Sequence, residues 1–455
     1  MNLQPLFKPK TMAVIGVSST NDRHPANVIY NKNAHRYPIN VFPVNTRGGV
    51  FQNEELITSV SALPQKIDLA VIAVRAEYVP DILAECIKAG VGSAAIISGG
   101  FAESGNTEIQ DRLVAMAKEA DFPFIGPNCL GIYAPAAVDT FFIPSERMLL
   151  PDPGNVALIS QSGGILVDQM LKFSQEGIGL SMAVSIGNKA LINELHLLEY
   201  LGNDPQAKVL AFYVEGFGKN EGREFVRAAG ACPKPVVVLK AGKSPEGRQA
   251  VSSHTASMAG DYDVFSAALS QYGVVEAQNE IELASFCEAL SCSARFTGCR
   301  VGIVTGSGGH GALAVDACTD HGLAVPSLPV PLQQELREQL SPSARVIASV
   351  SNPIDLTGSA GDEDFVVTVR RLSKTPEIDC IIVLMLPYLP GTSSDLGARL
   401  SQIYRQEGKP LIAYIPHIEK YGMLIEGFEL NNIPVSPSIE GAVLMADAMR
   451  RCQRC

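Results

Sequence analysis

The feature that most constrains this chain is a rhythm. Short apolar runs of strand length alternate with helix-length segments, and the rhythm restarts three times. Residues 12–17 (MAVIGV), 39–44 (INVFPV), 67–74 (IDLAVIAV), 94–97 (AAII) and 122–125 (FPFI) form the first set, with helix-length stretches such as 79–89 and 106–120 between them. Apolar strands separated by helices are the pattern of a parallel, doubly wound sheet covered on both faces. A proline-rich stretch, 143–153 (IPSERMLLPDP), reads as a linker. A second set occupies 155–160, 181–186, 209–214, 235–240 and 274–275. A third occupies 300–305, 380–386 and 410–415 and ends in a helix near 440–451. The expected fold is therefore α/β in three blocks: a Rossmann-like domain over 1–130, then flavodoxin-like α/β domains over 150–290 and 298–455. A length of 455 residues suits three domains at roughly 100–200 residues each.

Charge and composition exclude several classes. A net charge of −11 does not suit a nucleic-acid or anionic-membrane partner, so any anionic ligand has to be met by local backbone donors. No apolar run approaches the roughly 18 residues of a spanning helix. Residues 1–10 carry two prolines and no apolar core, so no signal peptide is expected. The cysteines, among them Cys86, Cys129, Cys287, Cys318 and Cys380, are scattered through apolar stretches, which predicts reduced thiols in a cytoplasmic protein. Cys452 and Cys455 have CxxC spacing without a second pair, and a frayed thiol pair is preferred to a metal site. No metal ligands are assigned.

In the first block, strand one runs into Gly16, Val17, Ser18 and Ser19, then Thr20 and Asn21, before a helix around 26–33. A small-residue turn from strand to helix presents backbone N–H groups to a phosphate. GxGxxG is not met, and Gly16 alone could simply make a tight turn. An NAD site wants a carboxylate after strand two; the residues there are Val44, Asn45, Thr46 and Arg47. Arg47 would suit the extra phosphate on a CoA adenosine, or is a solvated loop charge. The other strand ends supply Val74 and Arg75, Ser98 and Gly99, and Asn128 and Cys129.

The second block has two chemical elements. Ser160-Gln161-Ser162-Gly163-Gly164 turns a strand into a helix at 165–176, an anion cradle of backbone amides around Ser162, Gly163 and Gly164. Gly-x-Ser-x-Gly is not matched, which argues against a serine hydrolase. His254 stands in Ser252-Ser253-His254-Thr255-Ala256-Ser257, small residues that leave it room. A lone histidine can be structural, but a neutral imidazole attacks phosphorus when a carboxylate orients its other nitrogen. Glu215, at the end of 209–214, is the candidate orienter, its alternative being a strand-end surface charge.

Taken together, Gly16-Val17-Ser18, Pro43-Val44-Asn45, Gly126-Pro127-Asn128-Cys129, the Ser160–Gly164 turn, Ser185-Ile186-Gly187-Asn188 and Ser253-His254-Thr255 resemble the α subunit of ADP-forming acetate–CoA ligases. These are NDP-forming acyl-CoA synthetases related to the succinyl-CoA synthetase α chain. The third block fits too, through Thr305-Gly306-Ser307-Gly308-Gly309-His310-Gly311, Asn352-Pro353-Ile354-Asp355-Leu356 and Lys409-Pro410. The resemblance implies CoA on the first block and a phosphohistidine at His254. It also implies an ATP-grasp β subunit, as α2β2, that binds most of the ADP or ATP and Mg2+. The implied reaction converts acyl-CoA, phosphate and ADP to a small carboxylic acid, CoA and ATP. A helix amino end after Ser162-Gly163 and a second on the partner would hold the phosphohistidine's charge. Ala26 departs from the family's usual glycine, and Asn193 and His196 replace common acidic residues.

Rival readings are a regulatory CoA-binding protein without turnover, a protein acetyltransferase on the same scaffold, and an NAD-dependent dehydrogenase. They predict, in turn, a lost histidine or cradle, an appended transferase domain, and an acidic strand end.

Overall fold

The computed structural model describes residues 1–254, 261–292, 296–416 and 419–452; for 252–254 and 419 only the backbone is described. It forms two compact units, Met1–Glu280 and Ile281–Cys455.

The first sheet begins with β1 (Thr11–Ile15) and β2 (Asn40–Val44). A small antiparallel hairpin of β3 (Val50–Phe51) and β4 (Glu54–Glu55) follows, and then β5 (Leu69–Ile72), β6 (Ser93–Ile96) and β7 (Phe124–Ile125). Its order is β2-β1-β5-β6-β7, with every pair parallel. The pleat sends alternate residues into two cores. Met12, Val14, Leu69 and Val71 join one, while Ala13, Ile15, Ala70 and Ile72 join the other. Both faces are therefore covered, which is why these strands are continuously apolar. The helix Val79–Lys88 covers one face with Val79, Ile82, Leu83 and Cys86, a spacing that follows the helical turn.

The second sheet holds a surprise at its edge. It contains β8 (Gly131–Ala134), β9 (Val138–Asp139), β10 (Pro153–Ser160), β11 (Leu180–Ser185), β12 (Val209–Val214), β13 (Val236–Lys240) and β14 (Val275–Ala277), ordered β14-β13-β12-β10-β11-β8-β9. Strands β8 and β9, not anticipated from sequence, run antiparallel on the β11 edge. They are too short to announce themselves by periodicity. Buried polar contacts hold them instead. Lys32 Nζ meets Asp139 Oδ2 at 2.7 Å with both side chains buried, and Asn33 donates to the Asp139 carbonyl and accepts its N–H. The helix Pro25–Arg36 of the first sheet is thereby tied to the second.

The third sheet, in the second unit, has β15 (Val301–Thr305), β16 (Ile354–Asp355), β17 (Cys380–Leu384), β18 (Leu411–Tyr414) and β19 (Val435–Ser436), all parallel, in the order β16-β15-β17-β18-β19. Leaving aside the antiparallel edge of the second sheet, all three place their first strand between their second and third. Topology reverses beside that strand, and ligands of open α/β sheets bind at the carboxyl ends flanking such a reversal. The three crevices lie at β1/β5, β10/β12 and β15/β17. A second device also repeats. Lys234 donates to the Leu201 and Asp204 carbonyls, Lys409 to those of Leu372, Thr375 and Ile378, and each lysine precedes a proline just before a strand. Among the described residues no helix is long and apolar enough to cross a membrane.

Candidate functional site

In the first crevice, β1 ends in Gly16 at φ +108°, where a Cβ would lie 2.4 Å from the Ala73 carbonyl oxygen. Only glycine lets β1 and the end of β5 approach so closely. Beyond it the loop is braced from within. The N–H of Ser18 donates to Asn27 Oδ1 at 2.7 Å, and Ser18 Oγ accepts from the amides of Thr20 and Asn21. Asn45 Nδ2 donates to the Val17 carbonyl, and Asn45 Oδ1 accepts from Arg47 N–H. Ser18 and Asn45 thus shape the loop with their side chains, leaving Ser19 and Arg47 exposed. Val74 is half-buried. Arg75 is also exposed, its guanidinium shared between Glu77 and Tyr78, both at 2.9 Å. Ser98 accepts the Asn128 N–H on its carbonyl, and Gly99 faces Asn128 Oδ1. Cys129 is different: its side chain is buried, its Sγ donates to the Ile96 carbonyl, and burial pushes the thiol up to about 12. Its thiol points into the core rather than the crevice.

Sequence reasoning passed over His24. It is the N-cap of the helix Pro25–Arg36, with Nδ1 accepting from Ala26 N–H at 3.3 Å, and burial lowers its pKa. Ala26 itself is fully buried. Asn193 and His196 also find a role as caps. They form a reciprocal capping box at the start of the helix Glu194–Gly202.

In the second crevice, β10 ends at Ser160, whose Oγ accepts the Ser162 N–H at 3.1 Å and donates to the Ser162 carbonyl. Ser162 is the N-cap of the helix Gly163–Gln175, its Oγ accepting from Ile165 N–H. The amides of Gly163 and Gly164 come before the first intrahelical acceptor, so they and the positive end of the helix dipole are available to an anion. A Cβ at Gly164 would meet only Ser162 Oγ, at 4.0 Å.

Beside this turn, β12 pairs with β10 and leads into Glu215, which is 7% exposed. Three side chains from three strand ends hold its main chain and that of Gly216. Gln161 Oε1 accepts the N–H of Glu215 at 2.6 Å and of Gly216 at 3.1 Å, while its Nε2 donates to the Gly216 carbonyl at 2.8 Å. Lys189, following β11, also donates to the Gly216 carbonyl at 2.7 Å and pairs with the buried Glu194 carboxylate, to which Gln161 also donates. Lys240, the last residue of β13, donates to the Glu215 carbonyl at 2.7 Å. Tyr213 OH approaches the Glu215 carboxylate at 3.5 Å, and its own pKa is raised by burial and by that carboxylate. Glu215 and the amide cradle, proposed from sequence, are thus brought to one topological switch. Gln161 was visible within its motif but carried no assigned role, and Lys189 and Lys240 were missed. An ionisable residue closing the valine-rich run VVVLK was the available signal.

His254 closes the helix Pro245–His254, which follows β13. Its side chain lies outside the described residues, as do Thr255–Gly260 of its loop.

In the second unit, Thr305 and Ser307 repeat the Ser160/Ser162 exchange, and Ser307 is the N-cap of the helix Gly308–Asp320. His310, on that helix, has Nδ1 3.1 Å from Ser307 Oγ.

Comparisons with known proteins agree along the chain. Residues 10–135 match a CoA binding domain, 153–290 a succinyl-CoA ligase like flavodoxin domain, and 301–415 a ligase-CoA domain. The α subunit of ADP-forming acetate–CoA ligase I from Pyrococcus furiosus is 34% identical over 99% of this chain and 97% of its own length. The chain belongs to the ADP-forming acetate–CoA ligase family. As a member of this family of acid–thiol ligases, it also matches the structure of a Ca. Korarchaeum cryptofilum acetyl-coenzyme A synthetase in complex with phosphate and ADP. There the TM-score is 0.89, at 30% identity over 100% of this chain and 97% of that one. An ADP-forming acetate–CoA ligase I from Archaeoglobus fulgidus is 35% identical, and the match covers 85% of this chain but 55% of that ligase. A 4-hydroxybutyrate–CoA ligase from Nitrosopumilus maritimus, 29% identical, widens the range of acids named among its relatives.

Proposed function

We propose that the chain is the α subunit of an NDP-forming acyl-CoA synthetase, with His254 as the residue that carries phosphate. The observation that carries this reading is the β10/β12 switch, where Gln161, the residue before the cap of the helix Gly163–Gln175, holds the main chain of a buried carboxylate, Glu215, in the block that also bears His254. Acyl-CoA and phosphate give acyl phosphate and free CoA. The imidazole of His254 attacks phosphorus, the P–O bond to the acyl group breaks, and the carboxylic acid leaves. ADP then takes the phosphoryl group, forming ATP and restoring the neutral imidazole.

Each group has a physical task. Glu215 accepts the N–H of the imidazole, fixing its tautomer and stabilising the positive character it gains on attack. Amides of Gly163 and Gly164, with Ser162, hold the phosphoryl oxygens. Positioning and charge stabilisation are what phosphoryl transfer most needs.

The first crevice fits CoA. Gly16 opens it, the loop Val17–Ser19 is braced for a backbone approach, and Arg47 and Arg75 are exposed cations for phosphates, with Val74, Ser98, Gly99, Asn45 and Asn128 around them. Cys129 contributes through its backbone. The domain division that goes with this function is 1–130 for CoA, 150–290 for the phosphohistidine and 298–455 for the third block. Likeness to a separate α subunit over 97% of its length supports an ATP-grasp β subunit as partner, as α2β2, which binds the nucleotide and Mg2+. A small carboxylic acid is the substrate, and the cytoplasm is where the reduced thiols suit it.

The test is to phosphorylate the complex with its partner from labelled ATP and Mg2+ and map the acid-labile phosphate by mass spectrometry. Phosphate on His254 is expected. Phosphate on His196 or His310, with His254→Ala still turning over, would overturn the assignment.

A further inference from the structure

The family's chemistry accounts for a histidine, a carboxylate and an amide cradle, but leaves an ion at the same strand ends without a task. Lys240 is 3% exposed. Its Nζ donates to the carbonyl of Glu215 at 2.7 Å and to that of Ala241, and so bridges the ends of β12 and β13, which pair at Val214 and Lys240. A lysine is rarely buried this far without a carboxylate partner. Among the described residues its hydrogen bonds go to main-chain oxygens, and one of these belongs to the residue whose carboxylate the proposed mechanism uses.

Building on that mechanism, we propose that Lys240 is a positioning residue for phosphoryl transfer: it pins the main chain of Glu215 and offsets the carboxylate's negative charge against the incoming phosphoryl group. Without the ammonium, a dianionic phosphoryl group would approach a buried carboxylate that has lost the cation bonded to its own main chain. Such repulsion grows as water is excluded from between the charges. Gln161 completes the device from the other side by accepting the Glu215 N–H, so the peptide groups flanking this residue are both held.

The surroundings of Lys240 make its charge conditional. Burial lowers its pKa to about 8, Glu215 opposes that fall, and Lys189, Arg248 and Lys243 add to it. It also opens on a cavity of about 970 Å3 that Arg223, Arg227 and Asp261 help to line. A lysine of lowered pKa is charged below that value and neutral above it. The site therefore gains one net negative charge as pH rises through about 8. Phosphoryl capture is expected to fall over that interval, while CoA binding in the first crevice does not.

The experiment is rapid-quench measurement of acid-labile phosphate on the complex of the chain with its ATP-grasp partner, from ATP and Mg2+, between pH 6.5 and 9.5. It compares the wild type with Lys240→Met and Lys240→Arg. In the wild type the rate should bend downward near pH 8 and fall about 10-fold or more by the top of the range. Lys240→Arg should lose the bend, because arginine stays charged. Lys240→Met should be slow at every pH with unchanged CoA affinity. A wild-type rate that is flat to pH 9.5 would overturn the proposal even if neither variant folds. So would the same bend in Lys240→Arg, or wild-type rates in Lys240→Met. These outcomes differ from failure of the underlying mechanism, in which the phosphate would not map to His254 at all.

Discussion

The side-chain oxygen of Gln161 accepts the main-chain N–H of Glu215 at 2.6 Å, across 54 positions of sequence. Gln161 is also the residue immediately before Ser162, the cap of the cradle helix. A single amide side chain therefore sets the register between the carboxylate proposed to orient the histidine and the amides proposed to hold phosphate. A shift of about 1 Å between such groups is enough to cost about 10²-fold in rate.

Replacing Gln161 with methionine keeps volume but removes this register. The expected result is a fall of about 10–100-fold in kcat, with little change in KM for CoA, measured as ATP formation by the complex. Glu215→Gln should slow phosphoryl transfer by about 10²-fold or more and keep the fold, since it removes charge but not shape. Wild-type rates in Glu215→Gln would remove it as the partner of His254.

CoA should bind the chain without its partner, and more tightly than 3′-dephospho-CoA in calorimetry. Arg47→Ala should erase that difference. Equal affinities in the wild type would remove the role of Arg47, and preference for NAD would overturn the ligand assignment.

Gly16→Ala is expected to lose both stability and CoA affinity. The added methyl would meet the Ala73 carbonyl at 2.4 Å from a backbone with φ +108°, a strain of about 1–3 kcal/mol before any rearrangement. Thermal unfolding and calorimetry read the two effects separately. A variant that melts and binds as the wild type does would show that the loop relaxes freely.

Asp139→Ala leaves the ammonium of Lys32 buried without its carboxylate. Breaking a buried pair on one side costs about 3–5 kcal/mol, so unfolding in urea should shift strongly to lower denaturant. Replacing both Lys32 and Asp139 with apolar residues of similar volume should recover much of the loss. An unchanged midpoint in the single variant would refute the role of the pair in holding β9.

Without the partner the chain should form no ATP from acyl-CoA, phosphate and ADP. Sustained synthesis by the purified chain would refute the subunit role.

Much of this architecture was written in local sequence. Runs such as VVVLK and CIIVL, continuous rather than alternating, specify strands buried on both faces, and the observed strands lie within a few residues of those runs. The turns at Gly16 and Ser162 were legible because sharp turns and helix caps demand particular residues whatever the surroundings. The short strands β8 and β9 were not, because two to four residues carry no period. Their place depends on Asn33 and Lys32, more than a hundred positions earlier. The clamp on Glu215 was invisible for a related reason. One valine-rich strand looks like another, so periodicity does not say which strands become neighbours. Only the folded sheet, with β10 seated between β11 and β12 and β13 beyond, brings Gln161, Lys189 and Lys240 to the main chain of Glu215 and Gly216. Local chemistry is encoded residue by residue, whereas adjacency follows from the free energy of burying whole strands together, and that is decided by the tertiary structure.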